Sequence, residues 1–195
     1  MILPIVAYGD PLLRKVGTTI DKGYPNLPEL LENMTETMKN ANGIGLAAPQ
    51  IGRTIRLFIV DLSPFSEDEE LDEKERTFLA DYKRVFINPE MLEETGEEWA
   101  FNEGCLSIPD IREDVFRQDT VTIKYLDENF DEHTETLNGL AARVVQHEYD
   151  HIEGILFTDK ISSLKKRLIK RKLENISKGK INPEYRMRFP VLKRR

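Results

Sequence analysis

Over residues 25–43, "PNLPELLENMTETMKNANG", apolar side chains return at Leu30, Leu31, Met34, Met38 and Ala41, the spacing of a helix with one buried stripe. Pro28 suits its first turn and Asn42-Gly43 its stop. The pattern breaks at once in "GIGLAAPQIG", residues 43–52, where three glycines and a proline predict a shaped loop, not a helix or regular strand. Residues 54–62, "TIRLFIVDL", form a short run of branched and aromatic side chains and predict a buried strand. The segment of about 62–82 interrupts this with seven acids between Glu67 and Glu75 and reads as a solvated surface insertion. Strand signals resume at 84–92, 97–104 and 113–127, and residues 131–139 read as the return arm of a hairpin.

From Leu140 the helical period comes back, with Leu140, Val144, His147 and His151 on one stripe and Gly154 placed as the stop. A last helix over 162–180 has a serine cap, apolar positions at Leu164, Leu168, Leu173 and Ile176, and a dense basic remainder. No repeat and no long linker divides the chain. The order helix, sheet, helix predicts an α+β fold: antiparallel sheets packed around a central helix that carries the two histidines, with an N-terminal and a C-terminal helix. Residues 1–164 are expected to form a catalytic domain and 165–195 a basic C-terminal helix and tail.

Composition fits that picture. The chain has 195 residues, 39% hydrophobic and 32% charged, enough for one globular domain that folds without disulfides or a structural metal. A single cysteine, Cys105, excludes an internal disulfide and suits a reducing compartment. The opening "MILPIVAYGDPLLRK" has no basic region before its apolar run, and Pro4 and Gly9 interrupt that run, so neither a signal peptide nor a membrane span is expected and a cytoplasmic location is. The net charge of −7 conceals an asymmetry. Residues 165–195 hold 13 basic side chains against two acids, a net +11, while the other 164 residues hold 15 against 33, a net −18. A basic end on an acidic body points to a polyanionic neighbour there.

Chemistry concentrates in "HEYDHIEGILF", residues 147–157, which follows H-E-x-x-H-x-x-G-x-x-H, the three-histidine zinc-protease pattern, until its last position, where Phe157 stands. Residues four apart on a helix lie about 40° apart around its axis, so His147 and His151 can face one ion, with Glu148 beside them to reach a water. The bland alternative is a pair of solvated helix histidines. For a third ligand, His133 sits in an acidic hairpin turn, Glu153 is too close to wrap back, and Asp159, Glu174 and Glu184 lie near or within the basic end. Cys105 remains, 42 residues before His147. A thiolate with two imidazoles leaves a fourth position open, as a catalytic site requires; against this, a lone cysteine can be an inert core thiol. Phe157 follows Ile155 and Leu156 and is expected in the core.

Three segments taken together resemble one family. "GIGLAAPQIG" at 43–52, "EGCLSIP" at 103–109 and "QHEYDHIEG" at 146–154 are similar, in this order, to the three signature motifs of the peptide deformylases, and "GDPLLRKVG" at 9–17 resembles the family's opening. The resemblance covers about residues 1–165 and is weak over the acidic insertion and the basic tail. It implies hydrolysis of the N-formyl group from formyl-methionine of newly made polypeptides, with release of formate. By position, Cys105, His147 and His151 match the metal ligands, Glu148 the general acid/base, and Gln50 with the Leu106 N–H the stabilisers of the oxyanion. Ile44, Gly45 and Gly104 match backbone along which the peptide lies, and Leu140 and Val144 the pocket for the methionine side chain; Arg143 lies beside that pocket. The metal is the open point. Bond preferences name zinc, whereas the resemblance implies Fe2+, with Zn2+, Ni2+ or Co2+ able to take the same site.

Two other readings share these residues: a metalloprotease cutting internal peptide bonds, and a noncatalytic metal- or RNA-binding module. The basic helix is read either as a solvated cover over a sheet edge or as a docking element for ribosomal RNA. DNA is not an expected partner, and a membrane surface is the weaker option because the apolar stripe lacks bulky aromatics.

Overall fold

A computed structural model of the chain describes residues 1–190. Four helices, α1 (Leu27–Asn40), α2 (Glu73–Ala80), α3 (Gly139–Ile152) and α4 (Ser163–Ser177), accompany seven strands. These are β1 (Ile5–Val6), β2 (Gly45–Ala47), β3 (Leu57–Asp61), β4 (Lys83–Cys105), β5 (Ile108–Leu126), β6 (Glu132–Asn138) and β7 (Met187–Arg188). Five of them form an antiparallel sheet in the order β2-β3-β4-β5-β6, and β1 pairs in parallel with β7.

β3 explains why the sheet has helices on both faces. All five of its residues are buried, and successive side chains point to opposite sides. Phe58 and Val60 enter a core with Ala141, Val145 and Ile152 of α3, while Leu57 and Ile59 enter another with Leu30, Met34 and Met38 of α1. α3 thus lies against one face, where Phe86 stacks between Phe58 (4.5 Å between ring centroids) and Tyr125 (4.3 Å). α3 ends where Gly154 takes a left-handed backbone (φ +71°), and a Cβ there would come within 2.7 Å of the Arg14 backbone. Only glycine permits both the stop and that approach.

A third core joins the two ends of the chain. Val6, Ala7 and Leu13 pack with Phe157, Ile161, Ile169, Leu173 and Ile176, so α4 is seated on the body and Phe157 is buried as expected. No helix among the described residues is long and apolar enough to cross a membrane.

Several local expectations change. The loop of 43–52 contains the short strand β2, paired Gly45↔Val60 to Ala47↔Phe58, followed by a tight turn over Ala48–Ile51; glycine weakens a strand but does not prevent three residues from pairing at a sheet edge. The acidic insertion is not irregular throughout, since Asp72 caps α2 by accepting from the Glu75 N–H at 2.8 Å. The signals at 84–92 and 97–104 belong to one strand, β4, which pairs with β5 through register shifts at Ile87/Glu90, Met91/Glu93 and Thr95/Glu98. The polar stretch between them is solvated on both faces, so its composition resembles a turn while its backbone keeps pairing. On α4, Leu164 and Leu168 are 62% and 72% exposed and Ile169 is buried in their place. The inward stripe is therefore Ile169, Leu173 and Ile176.

Candidate metal centre

The site lies where the end of β4 meets α3. One ligand atom each from Cys105, His147 and His151 fall within 4.8 Å of one another, and Cys105 Sγ is 3.2 Å from His151 Nε2. α3 supplies both imidazoles from the same side because they are one turn apart, with ring centroids 5.1 Å apart. A thiolate and two imidazole nitrogens in this span fit a divalent transition-metal ion, and three protein ligands are the number a catalytic site uses.

His147 is oriented from behind. Its Nδ1 is 2.9 Å from Glu103 Oε2, and a carboxylate can only accept there, which assigns the proton to Nδ1 and frees Nε2 for a metal. Glu103 also receives Arg117 Nε (2.7 Å) and Nη2 (3.0 Å) and Arg143 Nη1 (3.0 Å). Arg117 Nη1 in turn donates to Asp150 at 2.6 Å. Burial opposes charge on Glu103, but the hydrogen bonds from His147 and Arg117 outweigh it and hold its carboxyl well below the usual carboxylate range. His151 is buried and pushed well below the ordinary histidine value, which keeps its ring neutral.

Glu148 lacks such partners. It is 4% exposed, its Oε2 has no partner among the described residues, and burial pushes its carboxyl up to about 7. Gly45 makes room for it, since a Cβ at residue 45 would sit 2.4 Å from Glu148 Oε1. Gln50 is fixed by its own loop: Oε1 accepts from the Ala47 N–H at 2.8 Å, which turns Nε2 toward Cys105 Sγ (3.5 Å) and Ser107 Oγ (3.3 Å).

These groups open onto a cleft of about 790 Å³ lined by Ile44, Gly45, Gln50, Gly104, Cys105, Leu106, Val144, His147 and Glu148. Leu140 is not among its lining residues. It lines a neighbouring depression with Leu71 and Trp99, and Phe65 and Phe101 line both and form their shared wall. Arg143 points inward, with its guanidinium 4.5 Å from the Trp99 ring centre and donating to the Trp99 and Val115 carbonyls. His133 is remote, held by Asp127 on an exposed hairpin.

Sequence reasoning passed over Glu103, Arg117 and Asp150. Glu103 carried a signal: on a strand, a residue two before a ligand points to the ligand's side.

Comparison with known proteins accords with this geometry. Residues 2–167 match the family model described as polypeptide deformylase. A peptide deformylase of Christiangramia forsetii is 69% identical over 194 residues, spanning 100% of this chain and 99% of that one. One from Flavobacterium johnsoniae is 63% identical over 194 residues with the same coverage. Among solved structures, a Legionella pneumophila peptide deformylase aligns with a TM-score of 0.78 at 36% identity over 92% of this chain and 98% of its own. A Thermotoga maritima peptide deformylase gives 0.72 at 37% identity over 83% and 99%.

The Glu103 cluster yields a test. Glu103→Gln leaves two buried guanidiniums short of an anion and is expected to destabilise the fold by about 3–5 kcal/mol in denaturant unfolding. Metal affinity, read by chelator competition, should fall about 10–100-fold because His147 loses its anionic partner. Unchanged values in both measurements would contradict the role assigned to Glu103.

Proposed function

The chain belongs to the peptide deformylase family, and from that premise we propose how its residues divide the work of removing the N-formyl group from formyl-methionyl peptides. Family membership sets aside the internal-bond protease and the noncatalytic module. The reading is carried by one observation: a thiolate and two imidazoles converge beside a buried carboxylate with an unpartnered oxygen. Cys105, His147 and His151 would hold a divalent ion, which would supply Lewis acidity toward water and the formyl carbonyl.

Glu148 takes a proton from the attacking water and passes it to the departing α-amine as the formyl C–N bond breaks. A carboxyl held near 7 by burial can do both near neutrality. Negative charge growing on the formyl oxygen is met by the Gln50 Nε2 donor and the Leu106 N–H, each worth more in the transition state than in the ground state. The peptide lies as an added strand beside Ile44 and Gly45, with Gly104 on its far side; β2 is the terminal strand of the sheet, and an unpaired edge is what strand addition uses. The methionine side chain enters beside Val144. Leu140, in the adjacent depression, supports that wall from outside the cleft.

Fe2+ is the proposed physiological ion, with Zn2+, Ni2+ or Co2+ as substitutes. The enzyme is proposed to work in the cytosol, close to its nascent substrates. α4 projects Lys166, Arg167, Lys170 and Arg171 next to the exposed Leu164 and Leu168, and this face is proposed to dock on ribosomal RNA.

Three measurements follow. Formate release from formyl-Met-Ala-Ser should fall by about 10²–10⁴ in Glu148→Gln while metal content stays constant; no formate from the unaltered protein would reject the reading. Anaerobically purified protein should lose activity on exposure to peroxide, since a thiolate beside ferrous iron is readily oxidised, and indifference to peroxide would count against iron. Replacing Lys166, Arg167, Lys170 and Arg171 with Gln should weaken ribosome cosedimentation at low salt and flatten its salt dependence; an unaltered profile would remove the docking proposal.

A further inference from the structure

The chain after residue 167 lies outside the matched family model, yet it returns to the cleft. Beyond α4, β7 pairs with β1 (Ile5↔Met187, Val6↔Arg188), and the N–H groups of Ile5 and Ala7 donate to the carbonyls of Arg186 and Arg188, each at 2.9 Å. This anchor sets Asn182, Pro183, Glu184 and Tyr185 in the wall of the cleft that contains Cys105 and Glu148. From there the Tyr185 hydroxyl donates to the backbone carbonyl of Leu106 at 2.7 Å.

Leu106 occupies an exacting place. It follows the ligand Cys105 in the two-residue connection between β4 and β5, where the ladder ends and the backbone has few partners of its own. The connection is held instead from three separate parts of the chain. Tyr8 donates its N–H to the Ser107 carbonyl at 2.8 Å, Gln50 Nε2 approaches Ser107 Oγ and Cys105 Sγ, and Tyr185 takes the Leu106 carbonyl. Tyr185 is half-buried, and burial, with the Cys105 and Asp110 charges, raises its hydroxyl well above the ordinary tyrosine range, so it remains a donor.

We infer that Tyr185 is a positioning residue for deformylation: its hydroxyl holds the Leu106 backbone so that the Leu106 N–H faces the developing oxyanion, which makes the C-terminal segment a working part of the cleft. This rests on the oxyanion role given to Leu106 above. The geometry sets the size of the effect. Deleting an oxyanion donor costs about 10²–10³ in kcat, whereas releasing one neutral hydrogen bond that aligns such a donor should cost about three- to tenfold. Substrate binding along β2 does not use the tyrosine hydroxyl, so the loss belongs in kcat.

The test is Tyr185→Phe in the full-length, metal-loaded protein, which keeps the ring and removes only the hydroxyl. With formyl-Met-Ala-Ser, kcat is expected to fall about three- to tenfold with KM within about twofold, and metal content and unfolding midpoint should match the unaltered protein. On the zinc-loaded protein, the Leu106 carbonyl and Ser107 amide resonances should move, reporting the lost bond without reference to turnover. An unchanged kcat, a loss that appears in KM, or a loss matched by metal content or midpoint overturns the inference. Gln50→Ala separates this from the underlying reading: if Gln50→Ala lowers kcat and Tyr185→Phe does not, the positioning role fails alone; if neither lowers kcat, the oxyanion assignment fails with it; and no formate from the unaltered protein means that the deformylation reading itself has failed.

Discussion

Glu103 sits two residues before the end of β4 with its carboxylate accepting from Arg117, Arg143 and His147. Burying an unpaired carboxylate or guanidinium is prohibitive, and a buried pair is tolerable only when its remaining donors and acceptors are also used. Here most are, through Asp150 on Arg117 and the Trp99 and Val115 carbonyls on Arg143, and Arg143 Nε alone of these guanidinium nitrogens has no partner among the described residues. The constraint is geometric as well as energetic. A carboxylate shared among β5, α3 and its own strand leaves these elements little freedom to slide, and the freedom it removes from His147 is rotation of the ring. Orientation of this candidate metal ligand is thus a by-product of charge neutralisation in the core.

Around this cluster the apolar cores act as a mould. β3 presents alternate residues to α1 and α3, so the sheet is pressed from both sides and its edge strand β2 is carried into contact with α3. That contact brings Gly45 against Glu148. The tight turn after β2 then delivers Gln50 beside Cys105. Three segments distant in sequence meet because one strand is buried on both faces, and each contributes a different chemical group: a carboxyl, an amide donor and a thiol. The long β4-β5 hairpin adds the last component by placing Cys105 at its tight end, where a reversal of direction exposes backbone N–H and C=O groups that strands would otherwise consume.

Much of this was legible in the sequence, for identifiable reasons. The helical stripe Leu140, Val144, His147, His151 is periodic, and α3 begins and ends within a residue or two of that reading. β3, α1 and α4 were equally clear, being short apolar or amphipathic runs with recognisable ends. What was missed shares a feature: it depends on partners far away in the chain. Leu164 and Leu168 satisfy the helical period of α4 as well as Ile169 does, and only the position of the β1 and Leu13 core decides which side turns inward. Leu140 lies on the same stripe as Val144 but lines the neighbouring depression, which shares Phe65 and Phe101 from elsewhere in the chain with the cleft. In the ion network Glu103 keeps a strand spacing from Cys105, but Arg117 and Arg143 follow no spacing rule, because they reach it from different elements.

The same distinction bears on how the site tolerates its own strain. Among the described residues Glu148 is buried without a partner for one oxygen, and His151 Nδ1 is also unpaired, arrangements that cost stability on the order of 1–3 kcal/mol each. Such groups persist where the surrounding structure overdetermines them. The densely bonded Glu103 network on one side and the three pins on the Leu106 connection on the other meet that condition. A carboxylate that already had a good partner would serve poorly in the base role proposed for Glu148, and the contrast between its deficit and the surplus at Glu103 fits that proposal.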